Sequence, residues 1–223
     1  RTPWNLFPGI LRPDFISIYK GSDVILSING LKIGIGLTGS FCTFEKTFQL
    51  LEQLKKEGAI VTTVFSPLSQ TVKCRFGTGE EFLERAHEIT EKSPITTISG
   101  AEPIGPKHMF DIFLILPCTG NTLAKLANGI VDTPVLMGAK SHLRNGNPLL
   151  LSVSTNDGLS MNFKNIGLLM NMKHIFFVPF SQDNPHTKPN SLIANYDMLI
   201  PSINAALENR QLQPVLSQVT ERK

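Results

Sequence analysis

The stretch LKIGIGLTGS at 31–40, with TFEKTFQLLEQLKKE at 43–57 and AIVTTVF at 59–65 behind it, decides the fold class. LKIGIGL is a short apolar run halted by Gly39 and Ser40, which reads as a strand. Phe44, Phe48, Leu51 and Leu54 then recur at helical spacing, and Gly58 stops the pattern. AIVTTVF is β-branched and aromatic, and Ser66-Pro67 closes it. Strand, helix and strand in so short a span predict a βαβ unit, whose strands run parallel.

The same punctuation continues downstream. TGEE at 78–81 opens a helix with a capping-box pattern, and Phe82, Leu83, Ala86 and Ile89 form its inner face. A Gly/Pro-rich connection covers 100–106. DIFLIL at 111–116 reads as a buried strand closed by Pro117, and 121–130 as a helix. Further strands are expected at 148–153 and 174–178, with a helix around 163–170 between them and a last helix at 196–207. This alternation predicts an α/β fold: a single doubly wound parallel sheet in a Rossmann- or flavodoxin-like three-layer sandwich. The domain is expected over 31–209. Residues 1–30 read as an added or poorly ordered leader, since 1–22 hold the only Trp and show neither period. Residues 210–223 read as a solvated tail.

Composition narrows the function classes. With 41% apolar and 17% charged residues in a chain of 223, neither a disordered nor a coiled-coil protein is expected. The 21 Lys and Arg against 18 Asp and Glu leave +3 with no basic run, which makes no case for nucleic acid. No run approaches the ~18 apolar residues of a membrane helix. Cys42, Cys74 and Cys118 lie far apart, and the five histidines form no H-x-x-x-H pair. Neither a disulfide framework nor a metal site is expected, and the compartment reads as reducing and cytoplasmic.

In doubly wound sheets ligands sit beyond the carboxyl ends of the strands. The first such loop carries Gly34, Gly36 and Gly39 as G-x-G-x-x-G, formally a dinucleotide fingerprint. The second strand, however, ends in Phe65-Ser66-Pro67 with no acid for a ribose, and no Gly-Lys-Ser/Thr follows to make a P-loop. What remains is a phosphate cradle with hydroxyls at Thr38 and Ser40, or a tight turn with nothing bound. A second cluster, Thr119, Gly120, Asn121 and Thr122, follows a strand end and opens a helix. N-capping needs only one of those polar residues.

GLTGS at 36–40 together with PCTGNTLAKLANGIVD at 117–132 resembles the flavoprotein family that contains the homo-oligomeric flavin-containing cysteine decarboxylases. The similarity runs in order over roughly 31–180. AEPIGP at 101–106, STND at 154–157 and FSQDNPHTKPN at 180–190 resemble a branch of that family found in spore-forming bacteria. The resemblance implies FMN, with Gly39 and Ser40 on the phosphate and Ser66 at the ribityl end. Thr119, Asn121 and Thr122 would face the ribityl chain and ring edge, and Thr38, Phe41, Gly120, Ser154 and Thr155 complete the cofactor set. It also implies a trimer, or a multiple of trimers, with the flavin at the boundary between protomers. In the branch, the implied reaction is oxidation of a dihydropyridine dicarboxylate beside a partner protein that carries NADP or NAD. The alternatives are a stand-alone decarboxylase or prenyltransferase-like enzyme, and a non-redox scaffold for the partner. The family's decarboxylases carry a histidine shortly after the second strand, and 69–75 has none.

Asn156 is the candidate catalytic residue, orienting a substrate carboxylate or the flavin edge. Its competing role is an Asx-turn before Asp157 and Gly158. Lys73, Arg75 and Arg144 are candidate cations for the small dicarboxylate, against ordinary surface charge. Phe41 is expected either to close over the flavin or to pack under the sheet. Cys42 and Cys118 are expected as small buried fillers, and Met161, Met170 and Met172 as packing.

Overall fold

The computed structural model describes residues 18–20, 23–25 and 27–217. β1 (Ile18–Lys20) and β2 (Asp23–Ile25) pair as a small antiparallel hairpin. The remainder of 1–26 lies outside the described residues, but Ile28 is buried in the core, so packing begins before position 31.

β3 (Lys32–Leu37), α1 (Phe44–Lys56) and β4 (Ile60–Phe65) form the expected βαβ unit, the two strands parallel along their whole length. α1 buries Phe44, Phe48, Leu51 and Leu54, the residues that carried its period. α2 (Pro67–Thr71) leads to a short hairpin of β5 (Lys73–Cys74) and β6 (Gly77–Thr78). α3 (Gly79–Thr90) opens with the capping box: Thr78 N donates to Glu81 Oε2 at 2.7 Å, and Glu81 N to Thr78 Oγ1 at 3.3 Å. α4 (Ile98–Ala101) precedes β7 (Ile112–Cys118), α5 (Gly120–Ala127) and α6 (Pro134–Leu143). β8 (Leu149–Thr155), α7 (Phe163–Met170), β9 (Ile175–Phe177), β10 (Phe180–Asn184), β11 (Lys188–Ala194) and α8 (Leu199–Leu207) complete the chain.

The central sheet has the order β4-β3-β7-β8-β9 in its parallel part, which is the flavodoxin-like arrangement. The sequence pattern implied a purely parallel sheet, but the structure adds an antiparallel edge to it. β11 joins the upper end of β8 antiparallel, and β10 pairs antiparallel with β11. The segment 180–194 alternates poorly and contains Pro185 and Pro189, so no strand period announces the hairpin. α6 also went unread. It buries Val135, Leu136, Gly138, Ala139, Ser141 and His142, so apolar and small residues surround it with no single stripe.

The two faces of β3 explain its glycines. Ile33, Ile35 and Leu37 face the layer of α1, α3 and α8. Gly34 and Gly36 face the other way, where a Cβ would lie 2.5 Å from the Phe110 and Phe113 rings and 2.7 Å from Val135 Cγ1. Two of the three fingerprint glycines therefore serve close packing of α6 and two phenylalanines on the sheet rather than a phosphate. The opposite layer holds α5, α6 and α7 through Leu123, Val135, Ala139, Ile166 and Leu169.

The C-terminal segment is anchored rather than simply solvated. Gln211 Oε1 accepts from Phe177 N at 2.8 Å and its Nε2 donates to Phe177 O at 2.7 Å. Phe180 N donates to Val215 O and Ser217 N to Phe180 O, so the chain covers a sheet edge up to the last described residue.

Candidate functional site

β3 lies between β4 and β7, and its connections leave in opposite directions. The switch point therefore falls where the loops after β3 and β7 meet. Thr38 joins them: its Oγ1 donates to Pro117 O at 2.7 Å and accepts from Thr119 N at 3.2 Å. The hydroxyl is thus spent on holding the loops together, and Thr38 is buried. Ser40 and Ser154 join the loop after β3 to the end of β8 through a 2.8 Å hydroxyl pair.

Two cavities adjoin here and share Gly39, Thr119 and Asn121. The smaller, of about 410 Å³, is lined by Thr38, Ser66, Thr119, Thr122 and Thr133, and by the Lys125–Asp132 pair. The larger, of about 760 Å³, is lined by Ser40, Phe41, Gly120, Ser154, Thr155 and Asn156, with Cys42, Cys74 and Arg75. Both volumes lie in the range of small-molecule sites. Thr119 caps α5, with Thr122 N donating to its Oγ1, while the N–H groups of Gly120 and Asn121 open the helix. Ser66 caps α2, and its hydroxyl shares a 2.8 Å hydrogen bond with Ser69.

Gly120 is packed from above. A Cβ there would meet Asn162 Nδ2 at 2.4 Å and both Asp157 Oδ1 and Thr155 Oγ1 at 2.6 Å. These atoms form one cluster, in which Thr155 Oγ1 and Asn162 Nδ2 donate to the two carboxylate oxygens of Asp157. The cluster puts a carboxylate at the positive end of α5.

The candidate cofactor residues therefore gather at one place: Thr38, Gly39, Ser40, Phe41, Ser66, Thr119, Gly120, Asn121, Thr122, Ser154 and Thr155 all line one or both cavities. Phe41 packs on the α1–α3 side and also reaches the cavity wall. Its ring stacks on Phe82 and meets Phe44 edge-on while lining the larger cavity. Asn156 is exposed on the same wall.

The cations divide. Arg75 lines the larger cavity, with its guanidinium 4.7 Å from the Phe76 ring centroid, whereas Lys73 does not line it. Arg144 is a correction: it follows the far end of α6 and lines a separate groove with Glu102, Lys107 and Lys140. Cys42 is another, being exposed in the cavity rather than buried. Cys118 is buried as expected, and burial pushes its thiol pKa up. Met161, Met170 and Met172 are exposed rather than packed inside. Asp183, Lys188 and Ser191 also line the larger cavity, all from the β10–β11 hairpin that no periodicity revealed. Asp183 and Lys188 fall within the 180–190 motif, and Ser191 follows it directly.

Among the described residues no helix is long and apolar enough to cross a membrane. A model of the Flavoprotein family matches residues 25–201. The chain is 46% identical over 190 residues to the B subunit of dipicolinate synthase from Bacillus subtilis (strain 168), covering 85% of this chain and 95% of that one. It superposes on the crystal structure of the B subunit of dipicolinate synthase from Bacillus halodurans with a TM-score of 0.79 at 45% identity, over 86% of this chain and 98% of that one. The FMN-dependent cysteine decarboxylase SpaF shares the fold, with a TM-score of 0.60 at 17% identity over 81% of this chain and 97% of that one.

Proposed function

The chain belongs to the Flavoprotein family, and from that premise we propose that it is the FMN-binding B subunit of a dipicolinate synthase. In this reading it is an oxidoreductase component that contributes to oxidation of dihydrodipicolinate to dipicolinate during bacterial sporulation. Its partner is the A subunit of the same synthase, which carries NADP or NAD, and the pair works in the cytoplasm of the mother cell.

The observation that carries the reading is the pair of adjoining cavities at the switch point, in a chain so similar to proteins of that name. The residues present fit the group. Hydroxyls and helix-opening N–H groups suit a phosphate and a ribityl chain, and a larger, partly apolar space adjoins them for a ring system. Gly39 and Ser40 take the phosphate, with Ser66 at the ribityl end. Thr119, Asn121 and Thr122 face the ribityl chain and ring edge. Thr38, Gly120, Ser154 and Thr155 hold these loops in place, and Asn156 orients a substrate carboxylate or the ring edge. A bound flavin supplies an acceptor for the hydride of a dihydropyridine. Arg75 supplies a cation for the acid at the rim.

The face beside the cavity supports a homo-oligomer, in this reading a trimer or a multiple of trimers. Leu159, Met161, Phe163 and Leu168 are exposed in the segment that leads from Asp157 into α7, the kind of apolar strip that marks an interface. The segment 69–75 offers no histidine, which favours the oxidoreductase over the decarboxylase alternative.

The test begins with the visible absorbance of the purified protein with and without FMN. A bound flavin spectrum, lost in Ser40→Ala and Asn121→Ala, is expected, with turnover of dihydrodipicolinate only after the partner protein is added. No binding at saturating FMN overturns the flavin role and leaves a scaffold for that partner. Turnover of a peptidyl-cysteine by this chain on its own supports the stand-alone enzyme.

A further inference from the structure

Two hairpins wall the larger cavity, and each brings a cation to it. β5–β6 presents Arg75, beside Phe76. β10–β11 presents Lys188 together with Asp183. Among the described residues no carboxylate pairs with Arg75, whose only contact of note is with the Phe76 ring. Lys188 Nζ lies 2.7 Å from Asp183 Oδ2, and the two differ in anchorage: the lysine side chain is 60% exposed and the aspartate 20%. The carboxylate is thus fixed in the wall and holds a long, flexible cation over the space. The remaining carboxylate of the cavity, Asp157, already accepts from Thr155 and Asn162 on its two oxygens and makes no ion pair with either cation. Two cations on separate elements exceed what a monoanion needs. They match an acid with two carboxylates on one small frame.

Resting on the proposed function, we propose that Lys188 is the specificity-determining residue for a small dicarboxylate. Arg75 binds one carboxylate and Lys188 the other, and Asp183 is the anion that Lys188 exchanges for substrate. The ammonium of Lys188 is the exposed member of the pair, so water screens the attraction and shares in the exchange. A monocarboxylate of the same ring leaves one cation with nothing to exchange for, and discrimination follows from that second pair.

Isothermal titration of pyridine-2,6-dicarboxylate and of pyridine-2-carboxylate into the purified chain, with and without FMN, tests this. The wild-type protein is expected to prefer the dicarboxylate by about tenfold or more, the worth of one charged hydrogen-bonded contact. Lys188→Met removes that preference, with the monocarboxylate affinity falling far less, while Lys188→Arg keeps it. Asp183→Asn removes the competing anion and tightens the dicarboxylate severalfold. Melting curves confirm that these surface variants are folded. A preference that survives Lys188→Met overturns the proposal, and so does a wild-type protein that binds both acids equally or neither. Failure of FMN to bind counts against the flavin role instead, because the titration without FMN still reports on the clamp.

Discussion

Replacing Gly120 by alanine puts a methyl group where the structure has no room for one. The new Cβ would stand 2.4 Å from Asn162 Nδ2, 2.6 Å from Asp157 Oδ1 and 2.6 Å from Thr155 Oγ1. None of these atoms ends a long side chain that could swing away. Asn162 Nδ2 is tied to Asp157 Oδ2 at 2.8 Å, and Asn162 Oδ1 to Asn165 Nδ2 at 2.8 Å. Overpacking of this kind costs roughly 1–3 kcal/mol. Separating Asp157 from one donor adds a charged hydrogen bond worth about 1.5–3 kcal/mol, while alanine's better helix propensity returns less than about 1 kcal/mol. A net loss of roughly 2–5 kcal/mol lowers the melting temperature by roughly 4–20 °C in a chain of this size. FMN affinity falls with it, because Gly120 lines the larger cavity. Gly167→Ala is the matched control. It lies inside α7 with nothing within 4 Å of its Cβ position, so a gain of roughly 0.5–1 kcal/mol is expected. Urea and thermal unfolding of both variants, with FMN titrated by fluorescence quenching, give the comparison. If both substitutions move stability in the same direction, the crowding at Gly120 is not what keeps it glycine.

Three further outcomes follow from single residues. His142 is buried with its Nε2 3.1 Å from Pro148 O, and burial pulls its pKa down from 6.5 to about 4. The unfolded chain therefore takes up a proton near pH 6.5 that the folded chain refuses until about pH 4. The stability is whole above that window and up to about 3 kcal/mol is lost as pH falls through it. Unfolding as a function of pH measures this, and His142→Gln should flatten the slope. Gln211→Ala removes both hydrogen bonds to Phe177 and should cost about 1–2 kcal/mol, with faster amide exchange at Phe177. Arg144→Ala should leave FMN and dicarboxylate binding unchanged in titration, since Arg144 lines the separate groove.

The parallel half of the fold was legible because its burial is periodic. Phe44, Phe48, Leu51 and Leu54 on α1, and Ile33, Ile35 and Leu37 on β3, each declare one covered face. The two loops that line the cavities were legible as clusters of small polar residues at strand ends. α6 was not, because a helix wedged against the sheet through Gly138, Ala139 and Ser141 has no polar stripe to set a period. The β10–β11 hairpin was hidden for the opposite reason: most of β10 is only partly buried and β11 begins exposed, so polar residues such as Gln182, Asp183 and Asn190 break any alternation. The glycine fingerprint misled through chemistry it shares with packing. A missing Cβ serves a phosphate and a close helix equally, and only the neighbours of Gly34 and Gly36 tell which. The place of Arg144 is legible in the order of elements: the Gly/Asn loop that carries it leads into β8, so it lies at the amino ends of the strands, opposite the ligand-binding edge.

β8 shows why the hidden hairpin matters to the site. Its lower residues Leu149, Leu150 and Leu151 pair parallel with β9, and its upper residues Ser154 and Thr155 pair antiparallel with β11. Composition changes at the same point, from three leucines to hydroxyls. Val178 N still reaches Leu151 O at 3.0 Å, but Pro179 follows and has no N–H for the ladder. β9 therefore stops short, and the edge of β8 above it is open to a returning strand. A parallel β9 continued upward would be covered by helices and would bring apolar side chains to this edge. The hairpin instead brings Asp183, Lys188 and Ser191 to the cavity. The parallel strands thus set the loops that meet at the switch point, while the antiparallel addition brings further charge to the cavity wall. Because the two are built from different parts of the chain, the side chains of the hairpin can vary while Gly39, Ser40 and the loop that opens α5 stay as they are.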